Sequence, residues 1–187
     1  MLFRSGVLGE NGRGTGEYFG LERAIHISMG TFSKSFASMG GFIATDFEIT
    51  DYIKHHSRPL IFSASMAPAT IAAVLAALDI IEQEPERREY LWRNATHLRT
   101  GLQELGFNTG RSATPIIPVI LGEDTLTFRF WRGLFDRGIF TNAAVRPAVA
   151  PGCSLLRTSV IATHTSVQID RVLEGFEEVG RALGVIL

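Results

Sequence analysis

Short apolar runs alternate with helix-forming segments along this chain of 187 residues, and this alternation limits the fold more than any other feature. The predicted strands are residues 25–29, 42–45, 60–62, 116–121, 139–142 and 154–161. The predicted helices are residues 47–56, a segment from 67 to the break at Pro85, and residues 86–105, 125–136 and 167–183. Strands and helices that alternate in this way indicate an α/β fold.

Three sequence signals mark the ends of helices. Pro85 is expected to break the helix that begins at Ala67, and Gly106 is expected to cap the next one. Thr165, followed three residues later by Gln168, forms a capping-box pattern at the start of the last helix. We therefore expect a domain boundary near Pro85, with residues 1–84 on one side and residues 85–187 on the other.

Composition excludes several classes of function. The net charge is −1 and the arginines are scattered among acids, so no basic patch suggests nucleic acid or an anionic membrane. The apolar stretch 67–81 is shorter than the ~20 residues that a spanning helix needs, so we expect a core helix. Cys153 is the single cysteine, which excludes an internal disulfide. These features favour a cytoplasmic protein with small-molecule partners.

Lys34 lies in a loop of hydroxyl-bearing and small residues, 30–41, between two of the predicted strands. It is one of two lysines in a chain with sixteen arginines. A lysine among hydroxyls is ordinarily a solvated loop residue, but one between two buried strands is expected to be desolvated. Because a desolvated amine is more often neutral, it attacks carbonyl groups. The pattern therefore favours Schiff-base chemistry at Lys34.

Four segments carry motifs of a known enzyme family. They are the glycine-rich run 6–14, the lysine loop 30–34, and residues 58–65 and 155–159. Together they resemble the pyridoxal-phosphate-dependent α-oxoamine synthases, from Gly6 to the C-terminus. The lysine loop and residues 146–152 are most similar to bacterial serine palmitoyltransferase. The related 8-amino-7-oxononanoate synthase and glycine C-acetyltransferase share most of these motifs.

The resemblance implies the type I fold of pyridoxal-phosphate enzymes, in which a large cofactor domain and a small C-terminal domain are joined by a long helix. Residues 1–84 would be a remnant of the large domain with the start of the linking helix, and residues 85–187 the small α/β domain. The implied reaction is a decarboxylative condensation of serine with a long-chain acyl-CoA, as in sphingolipid biosynthesis. Alanine with a pimeloyl thioester and glycine with acetyl-CoA are the alternatives. A homodimer with shared active sites is also implied.

The same resemblance gives the lysine loop its roles. Lys34 would hold pyridoxal 5'-phosphate as an internal aldimine and then transfer the proton at the substrate's α-carbon. The hydroxyls of Thr31 and Ser33 would bind the cofactor phosphate. Alternatively, both hydroxyls only satisfy backbone groups in a turn.

Ser63 matches a family position whose hydroxyl reaches the phosphate of the neighbouring subunit. The alternative is that Ser63 or Ser65 is the N-cap of the helix that begins near Ala67, a role that Ser65 fits better.

Two arginines are candidates for binding the substrate carboxylate. Arg157 lies in a strand with so few polar residues that we expect it to be buried and paired with an anion. A guanidinium can hold a carboxylate through two parallel hydrogen bonds. By resemblance, Arg157 and Arg146 orient the amino-acid substrate; a structural salt bridge is the alternative for each.

The start of the chain departs from the family pattern. Met1 to Ser5 stands where the family has an Asp-Glu-Ala-His segment, whose aspartate pairs with the pyridinium nitrogen of the cofactor. We therefore expect this chain to be an N-terminally truncated fragment that is inactive alone. A second hypothesis is a non-catalytic piece that contributes only the small domain and a dimer surface.

Two other kinds of site are disfavoured by spacing. The glycine-rich run 9–16 lacks the Gly-Lys-Ser/Thr ending of a P-loop, and no apolar strand precedes it as a dinucleotide fingerprint requires. His55 and His56 are adjacent, without a histidine four residues away or a cysteine pair, so we expect no metal site. His26 is expected to be a hydrogen-bonded structural histidine.

Overall fold

The structure is a computed structural model that describes residues 6–187. The chain divides into two compact units, the first ending at Arg88 and the second running from Glu89 to Leu187. The boundary expected from the sequence, between residues 84 and 85, lies near this division.

The first unit consists of a two-stranded ribbon and short to medium helices. Its strands are β1 (Ile27–Thr31) and β2 (Gly41–Thr45), which pair antiparallel from Ile27 opposite Thr45 to Thr31 opposite Gly41. Its helices are α1 (Thr15–Tyr18), α2 (Phe47–His56), α3 (Arg58–Ile61), α4 (Pro68–Gln83) and the start of α5 (Glu86–Glu104), with a 3₁₀ turn at Glu22–Ala24. The expected helix over residues 47–56 is confirmed.

Two expectations for strands in this unit need correction. Residues 60–62 are not a strand, because Arg58–Ile61 is helical and Pro59 occupies one of the first positions of that helix. Proline suits the first turn of a helix, whose N–H groups have no partner in any case. The strand expected at residues 25–29 is displaced to 27–31, since an apolar run alone does not mark where a strand ends.

Helix α4 differs from the expected core helix because none of its residues is buried. Its large apolar side chains, such as Ile71 and Leu75, are 42% and 57% exposed. A helix with apolar residues on all sides is typical of the interior of a large protein. The described part of the first unit supplies too little surface to cover it.

The second unit is an antiparallel sheet with helices. Its strands are β3 (Ile116–Gly122), β4 (Asn142–Ala144) and β5 (Ser154–Ser159), in the spatial order β3-β5-β4. Its helices are the rest of α5, α6 (Asp124–Phe135) and α7 (Ser166–Ala182). β5 is the central strand, so its Arg157 lies opposite Pro118 on one side and Asn142 on the other.

The helices of this unit pack on one face of the sheet. Alternate strand residues, among them Ile117, Val119 and Leu156, are fully buried. They form one cluster with the inner faces of the helices, which contribute Ala95, Leu98, Leu102, Phe130, Leu134, Ile169, Phe176 and Val179. The period of two along each strand therefore decides which side chains enter the core and which remain on the open face.

The helix ends follow the expected chemistry. Gly106 has a φ of 93°, and the N–H of Phe107 donates to the carbonyl of Leu102, so α5 ends in a left-handed cap. At α7, the Gln168 N–H donates to Thr165 Oγ1 and the Thr165 N–H donates to Gln168 Oε1, which confirms the capping box.

The strand expected over residues 139–142 is displaced to Asn142–Ala144. Ile139 instead lies in the turn that follows α6, where its N–H donates to the carbonyl of Leu134 at 3.0 Å. Its apolar side chain is buried as part of the core. The hydrophobic signal at this position came from helix capping rather than from a strand.

No helix within residues 6–187 is long and apolar enough to cross a membrane.

Candidate functional site

Lys34 lies on the loop that joins β1 to β2, as the sequence predicts, but its side chain is exposed. Both flanking strands are largely exposed too, so the expected desolvation of the amine is wrong for the described residues. Among the described residues β1 and β2 form a two-stranded sheet, and no third strand extends it. Within residues 6–187, the amine makes no hydrogen bond or ion pair.

Two phenylalanines fix the backbone on either side of Lys34. Phe32 and Phe36 are 7% and 6% exposed, and their rings meet edge to face at 5.4 Å. The N–H of Ser38 donates to the carbonyl of Phe32, and the N–H of Ala37 donates to the carbonyl of Lys34. The loop is therefore anchored by its buried aromatic residues and presents Lys34 between them.

The hydroxyls of Thr31 and Ser33 lie together on the lysine loop. Their oxygen atoms are 3.0 Å apart, and Thr31 Oγ1 also lies 3.3 Å from the carbonyl oxygen of Gly40 and 3.3 Å from the amide nitrogen of Ser33. A hydroxyl has one proton to donate, so Ser33 donates to Thr31 when Thr31 donates to Gly40. The Thr31 hydroxyl thus satisfies backbone groups of the turn, as the alternative states, whereas in the part of the chain that the structure describes the Ser33 hydroxyl bonds only to that of Thr31.

Gly40 closes the lysine loop with a conformation that only glycine adopts easily. Its φ is 95°, and a Cβ there would lie 2.4 Å from the sulfur of Met66. The carbonyl that it turns inward accepts from the N–H of Phe32 at 3.0 Å. Any residue with a side chain would be strained at this φ and would push the Met66 side chain aside.

Ser63 is an exposed residue, separated from the end of α3 by Phe62. The alternative role as an N-cap is wrong for both Ser63 and Ser65, because α4 begins at Pro68 with Ala67 as its N-cap. The hydroxyl of Ser63 has no capping function within residues 6–187.

Arg157 is exposed, so the expectation that it is buried with an anion is wrong for the described residues. It lies between Leu156 and Thr158, which are buried, so the alternation of the strand turns it to the open face of the sheet. Across residues 6–187, its guanidinium has no hydrogen bond or ion pair, and the alternative of a structural salt bridge is therefore not observed.

Arg146 takes part in a small polar network with Asp124 and Ser154. Its Nε donates to Oδ2 of Asp124 at 3.1 Å, while the Ser154 hydroxyl donates to Oδ1 of the same carboxylate. The alternative of a salt bridge is thus observed for Arg146. Ser154 is fully buried at the first residue of β5, and Asp124 is the first residue of α6. The hydrogen bonds from Ser154 and Arg146 hold the pKa of Asp124 below its ordinary value.

The glycine-rich loop is organised by Glu17, a residue that the sequence analysis missed. Its carboxylate accepts from the backbone N–H groups of Asn11 and Arg13 at 3.0 and 2.9 Å and from the Asn11 side chain at 2.7 Å. Burial acts to raise the pKa of Glu17, but these hydrogen bonds together lower it below the ordinary value. The partners are loop amides, which leave no pattern in the sequence.

The histidines considered in the sequence analysis are not part of the residue clusters described above. His55 and His56 each place Nδ1 near the backbone carbonyl four residues earlier on α2, at 2.8 and 2.9 Å. Within residues 6–187, no three His, Cys, Asp or Glu side chains are grouped as metal ligands. His26 is exposed and its ring has no hydrogen bond to another described residue, contrary to expectation. Residues 1–5, for which the sequence analysis expects a departure from the family pattern, lie outside the described residues.

Comparison with known proteins identifies the family. The family model for aminotransferase class I and II matches residues 2–176. The chain belongs to this family.

Two relatives confirm the resemblance to the α-oxoamine synthases. The chain is 47% identical over 169 residues to a serine palmitoyltransferase from Sphingobacterium spiritivorum, covering 90% of this chain and 42% of that protein. It is 42% identical over 182 residues to an 8-amino-7-oxononanoate synthase from Alkaliphilus oremlandii, covering 97% and 46%. The chain therefore spans less than half the length of these relatives.

Solved structures confirm the α/β fold. A serine palmitoyltransferase from Sphingomonas wittichii matches with a TM-score of 0.94 and 34% identity, covering all of this chain and 47% of that one. A serine palmitoyltransferase variant from S. paucimobilis, solved with a bound PLP–myriocin aldimine, matches with a TM-score of 0.93 and 37% identity, covering 99% and 47%. The two units are thus folded as in the corresponding half of a type I pyridoxal-phosphate enzyme.

Proposed function

We propose that this chain carries the cofactor lysine and the carboxylate-binding arginines of a pyridoxal-phosphate-dependent acyltransferase of the α-oxoamine synthase group. The reaction is the condensation of an amino acid with an acyl-CoA thioester, with loss of carbon dioxide. The observation that carries this proposal is the position of Lys34, on a loop anchored by Phe32 and Phe36 and beside two hydroxyls. In this proposal the first unit belongs to the cofactor domain and the second is the small domain.

The lysine loop has groups that fit pyridoxal phosphate. An exposed amine can condense with an aldehyde, and hydroxyls can bind a phosphate ester. When bound, the cofactor supplies an electron sink for a carbanion at the substrate's α-carbon. Lys34 holds the cofactor and transfers the α-proton. The hydroxyls of Thr31 and Ser33, which bond to each other in this structure, would hold the cofactor phosphate.

The two arginines of the second unit bind the carboxylate of the amino acid. Arg157 has all of its donors free of described partners, and Arg146 has its two terminal nitrogens free of hydrogen bonds to described residues. A planar guanidinium with two free parallel donors suits a carboxylate. Such binding would orient the amino acid and select which of its bonds is broken.

Serine with a long-chain acyl-CoA, as in sphingolipid biosynthesis, is the proposed substrate pair. The serine palmitoyltransferases among the relatives and solved structures support it. The 8-amino-7-oxononanoate synthases support the alternative, alanine with a pimeloyl thioester. We further propose a cytoplasmic homodimer in which Ser63 binds the cofactor phosphate of the second copy. Activity is expected in a protein of the relatives' full length, since this chain covers less than half of it.

Chemical trapping on this chain tests the cofactor lysine. The chain is mixed with pyridoxal phosphate, reduced with borohydride and digested, and the pyridoxyl group is located by mass spectrometry. We expect label on Lys34 in preference to Lys54, although both side chains are exposed and these are the only two lysines. The Lys54→Ala variant should retain the label and the Lys34→Ala variant should lose it. Equal labelling of both lysines, or label on Lys54 alone, would overturn the assignment.

A further inference from the structure

We infer that Asp124, fixed by Ser154, is a positioning residue that presents Arg146 to the substrate carboxylate. This inference rests on the proposed function and extends it to two residues outside the proposed lysine and arginine set. The geometry of the network carries it. One oxygen of Asp124 accepts from Nε of Arg146, and the other accepts from the hydroxyl of Ser154.

The guanidinium of Arg146 uses only one of its three nitrogens in its bond to Asp124. Asp124 Oδ2 accepts from Nε of Arg146 at 3.1 Å, which uses one edge of the group. The two terminal nitrogens make no hydrogen bond to any of residues 6–187. Because a planar guanidinium carries two parallel donors on its terminal nitrogens, this unused pair can take a second carboxylate in the bidentate arrangement.

The hydroxyl of Ser154 holds the carboxylate of Asp124 in place. The side chain of Asp124 is 32% exposed and that of Arg146 is 62% exposed. An exposed pair of this kind is ordinarily weak because both side chains lose conformational freedom. Ser154 removes part of that cost, since its hydroxyl is fully buried and fixes Oδ1 of Asp124 from the first residue of β5. The same strand carries Arg157, so the network ties the two arginines to one rigid element.

The chain offers a matched control. Arg132 and Asp136 form an ordinary exposed pair at the other end of α6, with Nε of Arg132 at 2.9 Å from Oδ1 of Asp136. The variants Asp124→Asn and Ser154→Ala disturb the network, and Asp136→Asn breaks the control pair. Arg157, free of partners across the described residues, is the internal control for arginine reactivity in the samples without ligand.

The experiment measures how fast phenylglyoxal modifies each arginine of the 187-residue chain, with and without pyridoxal phosphate and L-serine, by peptide mass spectrometry. Without ligand, we expect Asp124→Asn to raise the modification rate of Arg146 about threefold and Asp136→Asn to leave it unchanged. With ligand, L-serine should protect Arg146 in the wild type. The serine concentration for half-protection should rise about tenfold in Asp124→Asn and less in Ser154→Ala.

Each outcome has a definite reading. An unchanged Arg146 rate in Asp124→Asn overturns the inference, and so does a raised rate with unchanged half-protection, which a merely structural ion pair would give. If borohydride labels Lys34 but serine does not protect Arg146 in the wild type, the cofactor assignment stands and the positioning role fails. If serine protection is absent and Lys34 is unlabelled, the proposed function fails together with this inference.

Discussion

Replacing Phe176 by leucine tests the packing that holds the second unit together. Phe176 is fully buried. The centroid of its ring lies 5.7 Å from that of the Phe107 ring and 5.6 Å from that of the Phe130 ring. A buried aromatic pair contributes about 0.5–1.5 kcal/mol beyond the area that it buries. Leucine keeps most of the apolar volume but loses both pairs, so we expect a loss of about 1–3 kcal/mol in the free energy of unfolding.

The chain provides its own reporter and control for this measurement. Its two tryptophans, Trp92 and Trp131, both lie in the second unit, so intrinsic fluorescence during urea unfolding follows that unit. Phe128→Leu is the matched control, because Phe128 lies on α6 but is 50% exposed. We expect that substitution to change stability by less than about 0.5 kcal/mol.

The two leucine variants together decide whether the aromatic cluster has this role. A loss in Phe176→Leu no larger than that in Phe128→Leu would refute the reasoning. A change in the slope of the urea dependence would mean instead that the variant altered how much surface unfolding exposes.

Two further predictions concern hydrogen bonds. Thr165→Ala removes the hydroxyl that accepts a hydrogen bond in the capping box of α7. It should lower the free energy of unfolding of the second unit by about 1 kcal/mol, measured by urea unfolding. Thr163→Ala, at an exposed position before the helix, should leave that free energy unchanged. Because the pKa of Glu17 is lowered in the folded state, its stabilising effect is present above about pH 4.5 and is lost on acidification. Hydrogen exchange should show the Asn11 and Arg13 amides losing protection as pH falls, and in Glu17→Gln they should be poorly protected at every pH; full protection in that variant contradicts the assignment.

The helices were the part of the fold that the sequence defined well. The helix over residues 47–56 was predicted correctly from its pattern of apolar residues. The start of α7 was predicted correctly because Thr165 and Gln168 mark it as a capping box. Strands were less well defined, since an apolar run carries no signal for its own ends and is shared with helix caps, as Ile139 shows. The short run at residues 60–62 became helical because the preceding proline favours a first helical turn.

The residues of the candidate site were found from the sequence, but their surroundings were not. Arg157 was expected to be buried because its strand has few polar residues. Strand alternation, however, puts its side chain on the other face of the sheet from those of Leu156 and Thr158. Asp124 and Glu17 could not have been found by pattern, because each acts through partners that are distant in sequence or belong to the backbone.

The position of β5 between two antiparallel neighbours has a consequence for how this half of the protein can change during evolution. Both ladders fix the register of the strand, and the register alone decides whether Arg157 or its neighbours enter the core. A single inserted residue within the strand would bury the guanidinium and expel Leu156. Insertions in the loop of residues 147–153, beyond Arg146, leave the strand intact. Variation in length among descendants of this sequence should therefore accumulate in that loop, while the strand keeps its length.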